Sequence, residues 1–150
     1  RIIREERRHQ QEKANTKNDD TVKQARDQVQ SYGDENAKRA WADLEESYEL
    51  AETAEEKSFI AAKMSNLGFE AMTTNYGWLK AFFSVVLSKP ETKYTNAQKA
   101  EYWKSQAYLA MDSNNAVHLR QAVFELLGLM TSSANQAVSG PDFRAAAGSH

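Results

Sequence analysis

Residues 76–90 read YGWLKAFFSVVLSKP, and this stretch decides the fold class of the chain. Four aromatic residues fall within its first eight positions. On a helix the apolar side chains cover about twice the arc of slightly over 100° that one-sided packing needs. Only Lys80 and Ser84 interrupt this apolar surface. The pattern therefore predicts a helix that stops before Pro90 and is covered on more than one side.

Three interpretations of this stretch are open: a central core helix, an aromatic groove for a peptide, partner or lipid, and a helix lying at a membrane surface. The stretch is shorter than the roughly 20 residues of a membrane span, and its polar side lacks the Lys/Arg richness of interfacial helices. We expect a core helix whose second side is covered by the helix containing Trp103. The candidate residues, for partner binding or for the central core, are Tyr76, Trp78, Phe82, Phe83, Val86 and Trp103.

Composition favours a globular helical domain. The 150 residues include only 6 Gly and 2 Pro, whereas sheet-rich domains need many turns. The net charge of −2 gives no general attraction to nucleic acid, so no nucleic-acid partner is expected. The chain has no cysteine, which excludes disulfides and thiolate metal sites and fits the cytoplasmic location that we expect.

The spacing of apolar residues predicts an all-α fold, an antiparallel bundle of four to six helices. We expect a charged arm or exposed helix over 1–19, the bundle over 20–130 and a flexible tail over 131–150. Gly68, inside a helix, indicates that a neighbouring helix approaches closely. Helix starts are predicted at Asp20, at Asp34, at Thr53-x-x-Glu56, at 73–75 and at Thr95-x-x-Gln98, with a helix-to-helix turn over 112–116.

Catalytic motifs are missing from the sequence. It has no G-x-S-x-G, glycine-rich phosphate loop or H-E-x-x-H. His9, His118 and His150 have no carboxylate at ligand spacing on an apolar face. The acidic residues between Glu45 and Glu56 are typical of a solvated helix face. We therefore expect a non-enzymatic protein without a metal or cofactor.

A family resemblance covers about residues 34–130. The segment AKRAWADLEESYELAETAEEKSFIAAKMSNLGFEAM resembles the helical region that follows the substrate-binding sandwich in bacterial DnaK-like heat-shock chaperones. The following Trp/Phe-rich helix is similar to C-terminal extensions of some of these proteins. The resemblance to these extensions continues through the next helix, which has small residues, and through the polar turn at Asp112 to Asn115. It ends in the last helix, at Leu119, Arg120, Leu126 and Leu127.

The resemblance implies a lid-like or accessory C-terminal module, with the ATPase and sandwich domains upstream of Arg1. The function we expect is that of a protein-interaction module that binds its parent chaperone domains or a client protein. The alternative is a free-standing helical adaptor for a peptide or partner helix. A second copy of the chain is a further candidate partner, because a homodimer can cover a surplus apolar face.

Overall fold

The computed structural model describes residues 2–131, except for the side chains of residues 2–4 and 9–11. The described part is all-α with six helices, as the sequence predicts. The tail expected over 131–150 lies outside the description from residue 132 onward. The chain divides into two compact units, Arg1–Met72 and Thr73–His150.

The first unit contains α1 (Ile2–Tyr32), α2 (Glu35–Leu50) and α3 (Ala54–Thr73, of which Thr73 falls in the second unit). Short connections at 33–34 and 51–53 join these helices, as is typical of antiparallel neighbours. The prediction of a separate helix starting at Asp20 is wrong, since α1 continues through this position. Neither Gly nor Pro interrupts the chain before Gly33, and the charged residues ahead of Asp20 favour helix.

Apolar side chains spaced three and four residues apart form the core of the first unit. Each helix supplies one stripe of this core, which explains why the unit is compact by itself. Polar pairs also join the helices, among them Asn18 Nδ2, which donates to Ser58 Oγ at 3.0 Å, and Arg26 Nη2, which lies 2.6 Å from Glu45 Oε1. The buried residues of the core are Val22, Ala25, Val29, Trp41, Tyr48, Ala61, Met64 and Ala71.

Side-chain caps begin α2 and α3 where the sequence predicts them. Asp34 Oδ1 accepts from the Ala37 backbone N–H at 2.8 Å. Thr53 Oγ1 accepts from the Glu56 N–H at 3.1 Å, while Glu56 Oε2 accepts from the Glu52 N–H at 3.2 Å. These bonds satisfy backbone donors that a helix start otherwise leaves unpaired.

Gly68 lies where α3 meets the backbone of α1, which confirms the predicted close approach. A Cβ atom at this position would lie 3.0 Å from Ala25 Cα and 3.1 Å from Ala25 O. It would also meet Gln28 Oε1 at 2.5 Å. The Gln28 side chain can turn away, but the α1 backbone has to move. The absence of a side chain at residue 68 therefore sets the distance between α1 and α3.

We expect Gly68→Ala to lower the free energy of unfolding by about 1–2 kcal/mol, because overpacking outweighs the gain in helix propensity. Gly128→Ala is the matched control, since Gly128 is exposed in a helix and has nothing within 4 Å of its added Cβ. That substitution should stabilise the protein by about 0.5–1 kcal/mol. Urea unfolding followed by circular dichroism measures both. Equal stabilisation by the two substitutions would show that α1 does not constrain residue 68.

A buried tyrosine, Tyr48, makes the stability of the first unit decrease at alkaline pH. Tyr48 Oη donates to Asp19 Oδ1 at 2.7 Å. Burial raises the pKa of Tyr48 from 10.0 to about 12, and the hydrogen bond and the charge of Asp19 act in the same direction. The folded state therefore holds the phenol proton of Tyr48 more tightly than the unfolded state does. The stability that this protonated phenol contributes is complete below pH 10 and is lost as the pH rises toward 12.

We expect Tyr48→Phe to be less stable than the wild type at neutral pH by about 1–3 kcal/mol, through the loss of the bond to Asp19. Its stability should also fall less steeply between pH 10 and pH 12, since the phenol that ionises is gone. Tyr102→Phe, at an exposed tyrosine, is the control. Urea midpoints measured across this range test the pair, and parallel curves for wild type and Tyr48→Phe would refute the assignment.

The second unit contains α4 (Tyr76–Phe82), α5 (Ala97–Asp112) and α6 (Ala116–Leu129). The helix predicted up to Pro90 changes to one π-helical turn over Phe83–Leu87 and ends there. Asparagine side chains cap all three helices: Asn75, Asn96 and Asn115 accept from the backbone N–H groups of Trp78, Lys99 and His118, respectively. The cap predicted at Thr95 is therefore displaced by one residue, to Asn96.

Thr95 instead takes part in a short antiparallel backbone pairing between the 88–96 loop and the end of α6. Its N–H donates to Leu129 O at 2.7 Å, and Thr131 N–H donates to Lys93 O at 3.1 Å, on either side of an antiparallel bridge between Tyr94 and Met130. Hydroxyl groups from the same loop reach back to the π-helical turn. Thr92 Oγ1 donates to Val86 O and Tyr94 Oη donates to Leu87 O, both at 2.6 Å. The loop therefore satisfies carbonyl groups at the end of this turn.

Candidate functional site

The aromatic residues of α4 and the π-helical turn lie in the core. Trp78, Phe82 and Phe83 are each at most 2% exposed. The rings of Trp78 and Phe82 stack with their centroids 5.0 Å apart, and the Tyr108 ring meets Phe83 edge-on at 5.2 Å. Such packing leaves these three side chains no free face for a partner.

The other three predicted site residues are half-buried. Tyr76 Oη donates to Met111 O at 3.2 Å, which anchors the start of α4 to the end of α5. Trp103 lies edge-on to Tyr102, with ring centroids 5.1 Å apart, and Val86 lies in the π-helical turn. The six residues thus divide between a buried group and a partly exposed group.

Within the second unit, two helices pack against the aromatic stretch. The helix containing Trp103, α5, contributes the Tyr108 edge contact and the Met111 carbonyl. The last helix, α6, packs against both α4 and the π-helical turn, and its Leu119, Val123 and Leu126 are fully buried. The cover expected from α5 is limited, as in these two contacts, and the main packing on the aromatic stretch comes from α6, which the sequence did not indicate.

An apolar surface that the sequence did not predict lies on α5. Tyr102 and Leu109 are both 56% exposed. Leu109 follows Tyr102 by seven positions, or about two helical turns, so the two side chains share one side of the helix. Between them, Gln106 Oε1 lies 3.0 Å from Nε2 of His118 on α6. We call Tyr102 and Leu109, with the Gln106–His118 pair at their border, the α5 face.

Val117 is a further exposed apolar residue of the second unit. It precedes His118 in the first turn of α6 and is 82% exposed. Alanine could occupy such an exposed helical position without loss of packing, so a large apolar side chain is not needed for folding there. The α5 face and Val117 together give the second unit an exposed apolar region on two packed helices.

The α5 face was not predicted because the sequence pattern was followed only along the side of α5 that carries the alanines and Trp103. The buried stripe consists of Ala100, Ala107 and Ala110. On a helical wheel, Tyr102 and Leu109 lie about 80–180° from these alanines. The sequence therefore contained a signal for this surface: two large apolar residues lie away from the stripe of small residues that packs in the core.

Exposed apolar side chains in the first unit are more scattered. Leu50 is 73% exposed near the end of α2, and Phe59 is 64% exposed on α3 with the Lys63 ammonium group 4.6 Å from its ring centroid. Phe69 is also exposed, ten residues beyond Phe59. Single exposed apolar residues are common on folded proteins. We therefore use Leu50 and Phe59 below as control positions.

The acidic residues of α2 and the start of α3 face solvent, in agreement with the sequence pattern. Glu46, Glu49 and Glu52 are exposed, and Glu45 is half-buried against Arg26. The residues whose side chains are described contain no group of three or more His, Cys, Asp or Glu arranged to hold a metal ion. The acidic stretch is therefore organised as a helix surface with one interhelical ion pair.

A small polar pocket of about 240 Å³ lies beside the start of α3. Asn15, Thr53 and Lys57 line it, and Asn15 Oδ1 is buried without a hydrogen-bond donor among the described residues. Small-molecule sites are predominantly apolar, with a few polar groups that fix orientation. This lining is mostly polar, with Ala51 and Ala54 as its apolar members, and it includes both Glu52 and Lys57. The exposed apolar region on α5 and α6 is therefore the stronger candidate site.

Comparison with known proteins assigns no family. No family model matches the chain, and no curated protein or solved structure shows significant similarity to it. Among the described residues, no helix is long and apolar enough to cross a membrane.

Proposed function

We propose that this protein is a non-catalytic helical protein-interaction module whose second unit binds a partner through the α5 face. The observation that carries the proposal is the exposure of Tyr102 and Leu109 on a helix whose other side packs in the same unit. Tyrosine and leucine offer a partner a large apolar contact. The Gln106–His118 pair supplies polar groups at the border of that contact.

The aromatic stretch has a supporting role in this proposal. Trp78, Phe82 and Phe83 form a buried layer, and α5 is fixed to it through the Phe83–Tyr108 contact. A helix held in this way presents its exposed side chains with little loss of freedom on binding. The wide apolar surface of residues 78–87 would thus position the interacting helix without touching the partner.

Our finer proposal is that the partner is an unfolded client protein or the parent domains of a DnaK-like chaperone in the cytoplasm. Its support is the resemblance of residues 34–130, including the polar turn before α6 and the Leu119, Arg120, Leu126 and Leu127 pattern. A cytoplasmic location agrees with a chain that has no cysteine.

Titration with one protein in two states tests the proposal that the partner is an unfolded client. The probes are reduced, carboxymethylated α-lactalbumin, which is unfolded, and native calcium-loaded α-lactalbumin. We expect the chain to bind the unfolded probe and not the native one, because only the unfolded probe exposes apolar segments. Isothermal calorimetry should show the negative heat-capacity change of apolar burial.

Two results would count against the finer proposal. Equal affinity for both probes would mean that the chain does not recognise the unfolded state. Binding to neither probe would mean that the chain does not bind unfolded clients. It would favour the alternative, an adaptor for one specific folded partner. Light scattering of the chain alone is the accompanying measurement, since a homodimer formed through the α5 face would compete with the probe.

A further inference from the structure

We draw no further inference here: the strongest candidate, the exposed apolar region around Tyr102, Leu109 and Val117 on α5 and the start of α6, belongs to the surface already proposed for docking, and nothing in the structure shows which partner covers it.

Discussion

Phe82→Ala is expected to lower the free energy of unfolding by about 3–5 kcal/mol, the cost of removing a large aromatic side chain from a core. Phe82 is 1% exposed and stacks on Trp78. The substitution would leave a cavity beside the indole ring and remove the stacking contact. Since a domain of this size is stable by only about 5–15 kcal/mol, much of the stability of the second unit would be lost.

Phe59→Ala is the matched control, because it removes the same side chain from an exposed position on α3. It should cost no more than about 0.5–1 kcal/mol, mainly through the lost contact with Lys63. Urea unfolding followed by far-ultraviolet circular dichroism and tryptophan fluorescence measures both variants. A cost below about 1 kcal/mol for Phe82→Ala would mean that the aromatic stretch is not a central core element.

The second large effect concerns binding. Replacing Tyr102 and Leu109 together by Asp should weaken binding of the unfolded α-lactalbumin probe at least tenfold, equivalent to about 1.4 kcal/mol. Both side chains are more than half exposed, so their replacement should leave the core intact. Two carboxylates in their place would have to be desolvated by an apolar partner, which is costly.

The control for this variant is Leu50→Asp, which puts a charge at an exposed leucine on α2. We expect the Leu50→Asp chain to bind the probe with the affinity of the wild type. Thermal unfolding of both variants checks that the fold is retained. If all three chains bind equally well, the α5 face is not the interaction surface, and if Leu50→Asp alone loses affinity, the surface lies on the first unit.

Much of the local structure follows from short-range patterns in the sequence. Three- and four-residue spacing placed Trp41 and Tyr48 on one buried face of α2. Gly68 indicated a close helix contact, and Asp34 and Thr53 marked helix starts. The caps and the apolar spacing depend on residues within about two helical turns, whose geometry is the same in every α-helix. Gly68 indicated that a helix approaches closely but not that this helix is α1.

Features that depend on distant residues were not predicted. The π-helical turn is accompanied by hydroxyl groups of Thr92 and Tyr94, which lie in the following loop. The cap at Asn96 replaces the one expected at Thr95 because Thr95 pairs with Leu129, 34 residues away. Similarly, the exposure of Tyr102 depends on which side of α5 the other helices cover. Helix periodicity identifies the faces of each helix but does not assign neighbours to them.

The most direct test of the central claim is one nuclear magnetic resonance titration of the isotope-labelled chain with reduced, carboxymethylated α-lactalbumin. We expect the resonances of Tyr102, Gln106 and Leu109 to shift or broaden as the probe is added. The indole N–H resonance of buried Trp78 should stay unchanged, because α4 remains part of the core. Binding through the α5 face would be contradicted by a spectrum in which the α5 resonances do not move. It would also be contradicted if the Trp78 indole resonance were the main one to move.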